Sequence, residues 1–244
     1  NSNPKQITYK HNNNSIQHAW TTSWGISTRL IGALIMAHSD DEGLVLPPRL
    51  APTQVVVVPI YKNDAERSAV MEAIERISAP WKGRLRFKVD DRDHLTPGFK
   101  FNEWELKGVP LRVEVGPKDI EKGSVALARR DMPGKAGKSF VPQDGLTERL
   151  EGLLDEIQQA LYDRALRFRA EHTFEATSYD ELKAEIERGF VRCYWAGTTE
   201  DEQRVQDETR ATIRCIPLEQ PAQAGRCVLT GRETTQQAIF ARAY

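Results

Sequence analysis

Gln54-Val55-Val56-Val57-Val58-Pro59-Ile60 is a continuous β-branched run. A strand that is apolar at every position, not at every second one, is covered on both faces, as in a parallel sheet flanked by helices. The residues that follow agree. Asn63 with Glu66 three residues on is a capping-box pattern ahead of a helix running through Ile77. Gly83 then turns the chain, and Leu85, Phe87 and Val89 alternate as a strand. The order is βαβ, which predicts parallel pairing. After the turn chemistry of Thr96-Pro97-Gly98, the pattern gives a helix around Trp104, a strand at Leu111–Val115 and another at 124–128. An α/β sandwich of this kind closes near Pro142, and Ala51-Pro52-Thr53 reads as its upstream boundary.

Upstream of that boundary, Gln6-Ile7-Thr8-Tyr9 and the polar tract Asn12-Asn13-Asn14 read as a hairpin. The segment 20–38 reads as a strand entering a helix, with Ser27 as the N-cap, and the helix is apolar on most sides, so it is predicted to be buried. Downstream, Leu146, Leu150, Leu153, Leu154, Ile157, Ala160 and Leu161 keep helical spacing in a pattern that continues to Phe168. Ser178 with Glu181 is a second capping box, before a helix ending at Gly189. Strands at Phe190–Tyr194, 211–216, 226–229 and 238–241, with a helix at Thr199–Thr209, complete a small terminal α/β unit. The expected division is 1–51, 52–143 and 144–244.

Charged residues make up 28% of the 244, yet the formal net charge is -1, so contact with nucleic acid has to come from local patches and not from a general positive field. The longest apolar run, 30–37, is interrupted by Gly32 and is too short to span a bilayer, and no secretory signal opens the sequence. A cytosolic protein without a membrane partner is expected. Three cysteines with no close pair argue against a disulfide framework. The sequence starts at Asn1, inside what reads as a hairpin, and is therefore read as a fragment.

Four groups of residues invite a chemical reading. Arg29, after Thr22-Ser23-Trp24-Gly25-Ile26-Ser27-Thr28 and ahead of an apolar helix, is placed to stack on a purine or face a phosphate, or else is an ordinary surface arginine. The runs 87–93, 96–110 and 111–119 mix Glu, Asp, Arg and Lys near strand ends and loops, where sites on α/β sheets form. Guanine offers N1 and N2 donors to a carboxylate and O6 and N7 acceptors to arginine or lysine, so this mixture suits guanines splayed out of an RNA loop. Arg129, Arg130, Lys135 and Lys138, in and beside a Gly-rich basic loop, are candidate phosphate contacts. Cys193, Cys215 and Cys227 are 22 and 12 apart with no histidine among them, which reads as structural cysteines and not as zinc ligands. The five histidines show no metal or catalytic spacing.

The Thr22-to-Arg29 segment together with Gly43-Leu44-Val45-Leu46-Pro47-Pro48-Arg49 resembles the third signature motif of class II prolyl-tRNA synthetases. Trp104-Glu105-Leu106-Lys107-Gly108, Gly116-Pro117-Lys118-Asp119 and the ending Phe240-Ala241-Arg242-Ala243-Tyr244 also resemble that family. The resemblance covers 21–244. It implies the end of an antiparallel-sheet class II catalytic domain at 1–51, with α+β character, a mixed-sheet α/β anticodon-binding domain at 52–143, and at 144–244 a linker helix and small α/β domain like the family's zinc domain. In the full enzyme it implies ATP- and Mg2+-dependent activation of proline and its attachment to proline tRNA, in a homodimer in the cytoplasm, with no DNA partner. Arg29 and Ser27 would bind ATP, Ser23, Trp24 and Gly25 would line the substrate pocket, and Glu105, Arg112, Lys118 and Asp119 would contact the anticodon. Tyr244 would have a structural role. The family's four metal positions fall on Ala196, Asp201, Cys227 and Thr230, so no zinc is expected. Ser39 stands where the family more often has glycine, and the first two class II motifs are not in this sequence, so no catalytic residue is assigned and this chain alone is not expected to activate proline. Two alternatives stand beside this reading: a free-standing, non-catalytic tRNA-binding or regulatory paralogue, and a nucleotide-binding domain unrelated to tRNA, which would lack a Gly-rich phosphate loop.

Overall fold

The structure, a computed structural model, describes residues 7–19, 22, 24–132 and 134–242. The chain divides into two compact units, 1–154 and 155–244.

In the first unit, β1 (Thr8–Lys10) and β2 (Ile16–His18) form the expected antiparallel hairpin, with Thr8 opposite His18. Helix α1 (Arg29–His38) starts one residue later than the Ser27 cap predicts. Thr28 holds the N-cap position without a side-chain cap bond, and the Ser27 hydroxyl accepts weakly from the Arg29 amide at 3.4 Å. The expectation that this helix is buried is overturned: α1 has no buried residue, and Leu30, Ile31 and Met36 are exposed. Hydropathy marks a surface that can be covered; it does not supply the cover.

The valine run forms β3 (Val55–Pro59), buried at every position. Asn63 caps α2 (Asp64–Ser78) by accepting from the Glu66 amide at 2.9 Å, Gly83 turns the chain at φ 80°, and β4 (Phe87–Val89) pairs parallel with β3. Thr96 caps α3 (Pro97–Leu106), and β5 (Leu111–Val115) returns parallel to β3 on its other side. The short α4 (Pro117–Glu121) precedes β6 (Ser124–Arg129) and β7 (Lys138–Pro142), both antiparallel additions, so the sheet order is β4-β3-β5-β6-β7. The chain moves one way from β3 to β4 and the other way from β4 to β5. Right-handed crossovers therefore place α2 and α3 on opposite faces of the sheet. Helix α3 lands over β3, where Trp104, Val109 and Phe101 pack on Val56 and Val58.

Helix α5 (Leu146–Glu171) begins in the first unit and ends in the second. The second unit continues with β8 (Thr173–Ala176), α6 (Tyr179–Glu185) capped by Ser178, β9 (Phe190–Tyr194), α7 (Thr199–Thr209) and β10 (Ala211–Cys215). It ends with the small pair β11 (Gly225–Arg226) and β12 (Glu233–Thr234), then β13 (Gln237–Arg242). The strand expected over 226–229 is reduced to the two residues of β11, and β8, unrecognised in the sequence, forms an edge of the sheet β10-β13-β9-β8. Its core gathers Val191, Cys193, Trp195, Val205, Ala238 and Phe240, with Trp195 and Phe240 edge to face at 5.0 Å. The whole is mixed α/β, as expected.

Candidate functional site

Strand β5 alternates. Leu111, Val113 and Val115 point to one face of the sheet, and Arg112 and Glu114 to the other. Helix α3 covers that second face only over β3, leaving the part formed by β5, β6 and β7. Register aligns Arg112 with Ala128 and Lys138, and Glu114 with Ala126 and Phe140. The small side chain of Ala128 leaves a low floor beside the charged residues. The resulting cleft, ≈ 290 Å³, is lined by Glu105, Arg112, Ala128, Arg129, Lys135 and Lys138 among others.

The cleft's charges form a chain of alternating sign. Lys138 Nζ donates to Glu114 Oε2 at 2.7 Å, Arg112 Nε donates to Glu114 Oε1 at 3.1 Å, and Arg112 Nη1 donates to Glu105 Oε1 at 2.6 Å. The Arg112 guanidinium also lies 4.1 Å from the ring centre of Phe101, in cation–π contact. At the two ends of this chain, Glu105 and Lys138 are partly open to solvent, with side chains 37% and 40% exposed, while Glu114 in the middle is 4% exposed.

Glu105 is held in place from below. Buried Asp90, at the end of β4, accepts from Arg92 Nε and Nη2 at 2.7 and 2.6 Å and from Trp104 Nε1 at 2.8 Å, and its carbonyl accepts from the buried Lys100 Nζ at 3.0 Å. Arg92 bridges on to Glu103 at 2.7 Å. The Arg92 guanidinium holds the Asp90 carboxyl far below the usual carboxylate range, and burial pushes the Lys100 ammonium down. These bonds fix α3 to the sheet one residue before Glu105.

The structure thus brings Glu105, Arg112, Arg129, Arg130, Lys135 and Lys138 to one cleft. Lys138 is the first residue of β7 and not part of the loop, and Lys135 sits in the exposed turn before it. Arg129 is held by a two-point ion pair with Asp131 at 3.1 and 2.9 Å. Arg130 does not suit the phosphate contact expected of it. Its side chain is 3% exposed, bonded to Asp40 at 2.8 and 2.5 Å and to the Glu105 carbonyl at 3.0 Å, so it ties residue 40 to the end of α3. Lys118 and Asp119 lie on α4; Asp119 Oδ2 accepts from the Gly116 amide at 3.0 Å, capping that helix, and Lys118 is exposed. Trp24, Gly25, Ser27 and Arg29 are all exposed, while Ser23 and Tyr244 lie outside the described residues.

The four positions matched to zinc ligands do not fit a metal. The Asp201 carboxylate accepts from the Thr198 amide at 2.9 Å as the cap of α7, and the Arg232 guanidinium donates to the Ala196 carbonyl and lies 3.8 Å from Asp201. A protein cation therefore occupies the corner. Among the described residues no cluster of three or more His, Cys, Asp or Glu could hold a metal. Cys193 and Cys227 are buried, and burial pushes the Cys193 thiol up to about 12. Sequence reasoning did not single out Glu114, Phe101 or Phe140. The signal for Glu114 was legible, since Leu111-Arg112-Val113-Glu114-Val115 places a carboxylate inside an alternating strand.

A mixed sheet with α3 crossing over β3 and a charged, half-bare face is the fold to which residues 54–140 match, as a family described as "Anticodon binding domain". Residues 179–244 match a family described as "Prolyl-tRNA synthetase, C-terminal". Residues 54–140 are therefore of the anticodon-binding class found in aminoacyl-tRNA synthetases. Among curated relatives, a proline–tRNA ligase of Roseiflexus sp. (strain RS-1) is 79% identical over 98% of this chain, and one of Chloroflexus aurantiacus is 76% identical over 98%. A chloroplastic/mitochondrial proline–tRNA ligase of Arabidopsis thaliana is 47% identical over 95%. The chain spans 50%, 50% and 44% of the length of these three relatives. It belongs to the prolyl-tRNA synthetase family, as a C-terminal portion.

Proposed function

We propose that the cleft on the bare face of β5, β6 and β7 reads the anticodon of proline tRNA. The observation that carries this is the chain Lys138, Glu114, Arg112, Glu105, which offers an outward carboxylate and a fixed guanidinium within one hydrogen bond of each other. That pair is complementary to a guanine edge, with the carboxylate accepting from N1 and N2 and the guanidinium donating to an acceptor. Lys135 and Lys138 supply the backbone contacts that position the loop. Lys118 and Asp119, on α4, take a neighbouring nucleotide.

The whole protein, on this reading, activates proline with ATP and Mg2+ and attaches it to proline tRNA as a cytoplasmic homodimer. Residues 1–51 end the catalytic domain, 52–143 bind the anticodon, and 144–244 form the linker helix and C-terminal domain. Arg29 and Ser27 bind ATP there, with Ser23, Trp24 and Gly25 at the substrate pocket and Tyr244 in a structural role. Such chemistry needs positioned charge at the phosphates, to which the magnesium ion contributes, and no covalent nucleophile. High identity to whole ligases over nearly the full chain supports this reading over a free-standing paralogue without catalysis.

The test is binding of this chain to proline tRNA and to a copy with its two anticodon guanines replaced, across a salt series. Weaker binding of the altered copy with similar salt slopes is expected. Equal binding of the two RNAs sinks the proposal.

A further inference from the structure

We propose that Glu114 is a positioning residue for base reading, one that sets the plane of Arg112 and draws Lys138 to the same corner without itself touching RNA. This rests on the anticodon-reading function proposed above.

A carboxylate inside a central strand, 4% exposed, is costly to desolvate unless both oxygens are paired. Both are, and by different cations: Oε1 by Arg112 and Oε2 by Lys138. On the Arg112 side the guanidinium is held at Nε by Glu114, held at Nη1 by Glu105 and stacked on Phe101, while Nη2 has no hydrogen-bond partner among the described residues. A planar cation restrained at two nitrogens and one face cannot turn to follow an approaching base, so its remaining donor points one way.

Removing the Glu114 charge frees Nε. Arg112 can then swing to meet Glu105 through two parallel bonds, the preferred geometry of such a pair, and each reading group satisfies the other in place of the base. Gln at this position would keep the shape and turn a donor amide toward one of two cations, so it cannot replace the carboxylate. Lys138, half exposed, would lose the bond that keeps a backbone-facing charge beside the base-reading group.

The experiment measures binding of Glu114→Gln, Arg112→Gln and the double variant, with the unaltered chain, to proline tRNA and to the copy lacking the two anticodon guanines, with melting curves for each protein. Glu114→Gln is expected to lower the preference for the guanines by about tenfold, the scale of one lost bidentate base contact. On the Arg112→Gln background it should change that preference no further, because Glu114 acts through Arg112. A Glu114→Gln protein with undiminished preference, or one that weakens both RNAs alike, overturns the proposal, as does an equal further loss on the Arg112→Gln background. If the unaltered chain shows no preference, anticodon reading itself fails and this proposal falls with it. If Glu114→Gln does not fold, Glu114→Asp keeps the charge but shortens the reach to Arg112. It is expected to lose part of the preference, and parity with the unaltered chain overturns the idea.

Discussion

Arg112 and Asp90 show how two charged residues of one sheet, one near the start of β5 and one just past the end of β4, do different work. Arg112 is one-eighth exposed and restrained, with a free donor, which is the condition for reading a base. Replacing it with Lys keeps the charge but loses the fork and the stacking on Phe101, so the preference for guanine-bearing anticodons should fall by about tenfold while non-specific binding changes little, as competition binding would measure. Asp90 is buried with every oxygen engaged, so its work is in stability. Its folded-state pKa lies below the unfolded value, so its contribution is present above about pH 4 and is lost as pH falls through the folded value. Asp90→Asn should cost about 3 kcal/mol at pH 7, and denaturant titrations should show the gap to the parent narrowing below about pH 4.

At the scale of elements, the segment 43–46 docks on the end of α3 through two backbone bonds, Leu44 N to Leu106 O at 3.1 Å and Leu46 N to Gly108 O at 3.3 Å. The approach is close enough to require glycine on both sides. Gly108 has φ 71° and a Cβ there would lie 2.7 Å from the Leu44 carbonyl oxygen; Gly43 has φ 131° and faces the Leu106 Cα at 2.7 Å. Gly108→Ala should therefore destabilise the first unit by about 2 kcal/mol or more in denaturant unfolding, from strain and overlap together. Capping was legible at Asn63 and Ser178, whereas the cap expected at Ser27 falls on Thr28 without a side-chain bond, and Thr96 and Thr198 were not read as caps. Asn63, Thr96, Ser178 and Thr198 each accept from the amide three residues on, because a short oxygen-bearing side chain just ahead of a helix meets an unsatisfied amide without help from the rest of the chain. Helix α1 shows the reverse, since its apolar sequence says nothing about which surface lies against it.

For the whole molecule, a net charge of -1 leaves few phosphate contacts, and pairing reduces them further: Arg129 is engaged by Asp131 and Arg130 by Asp40. The plot of log affinity against log salt for proline tRNA should be shallow, with a slope on the order of −2 to −3, and Lys135→Gln should reduce its magnitude by about 0.7–0.9. The sequence by itself determined the caps at Asn63 and Ser178, the order of the segments from β3 to β6, the parallel β3 and β4 pairing and the mixed polar character of 87–119, because these follow from periodicity, side-chain chemistry and connection length acting over a few residues. Only the tertiary structure decided that Arg112, Glu114 and Lys138 share one bare face while Lys118 and Asp119 stand apart on α4, that Arg130 is a buried tie and not a surface contact, and that Arg232 occupies the corner matched to a metal site. Each of these depends on which strands become neighbours and which face a crossing helix leaves uncovered, and that is settled by long-range packing between residues tens of positions apart.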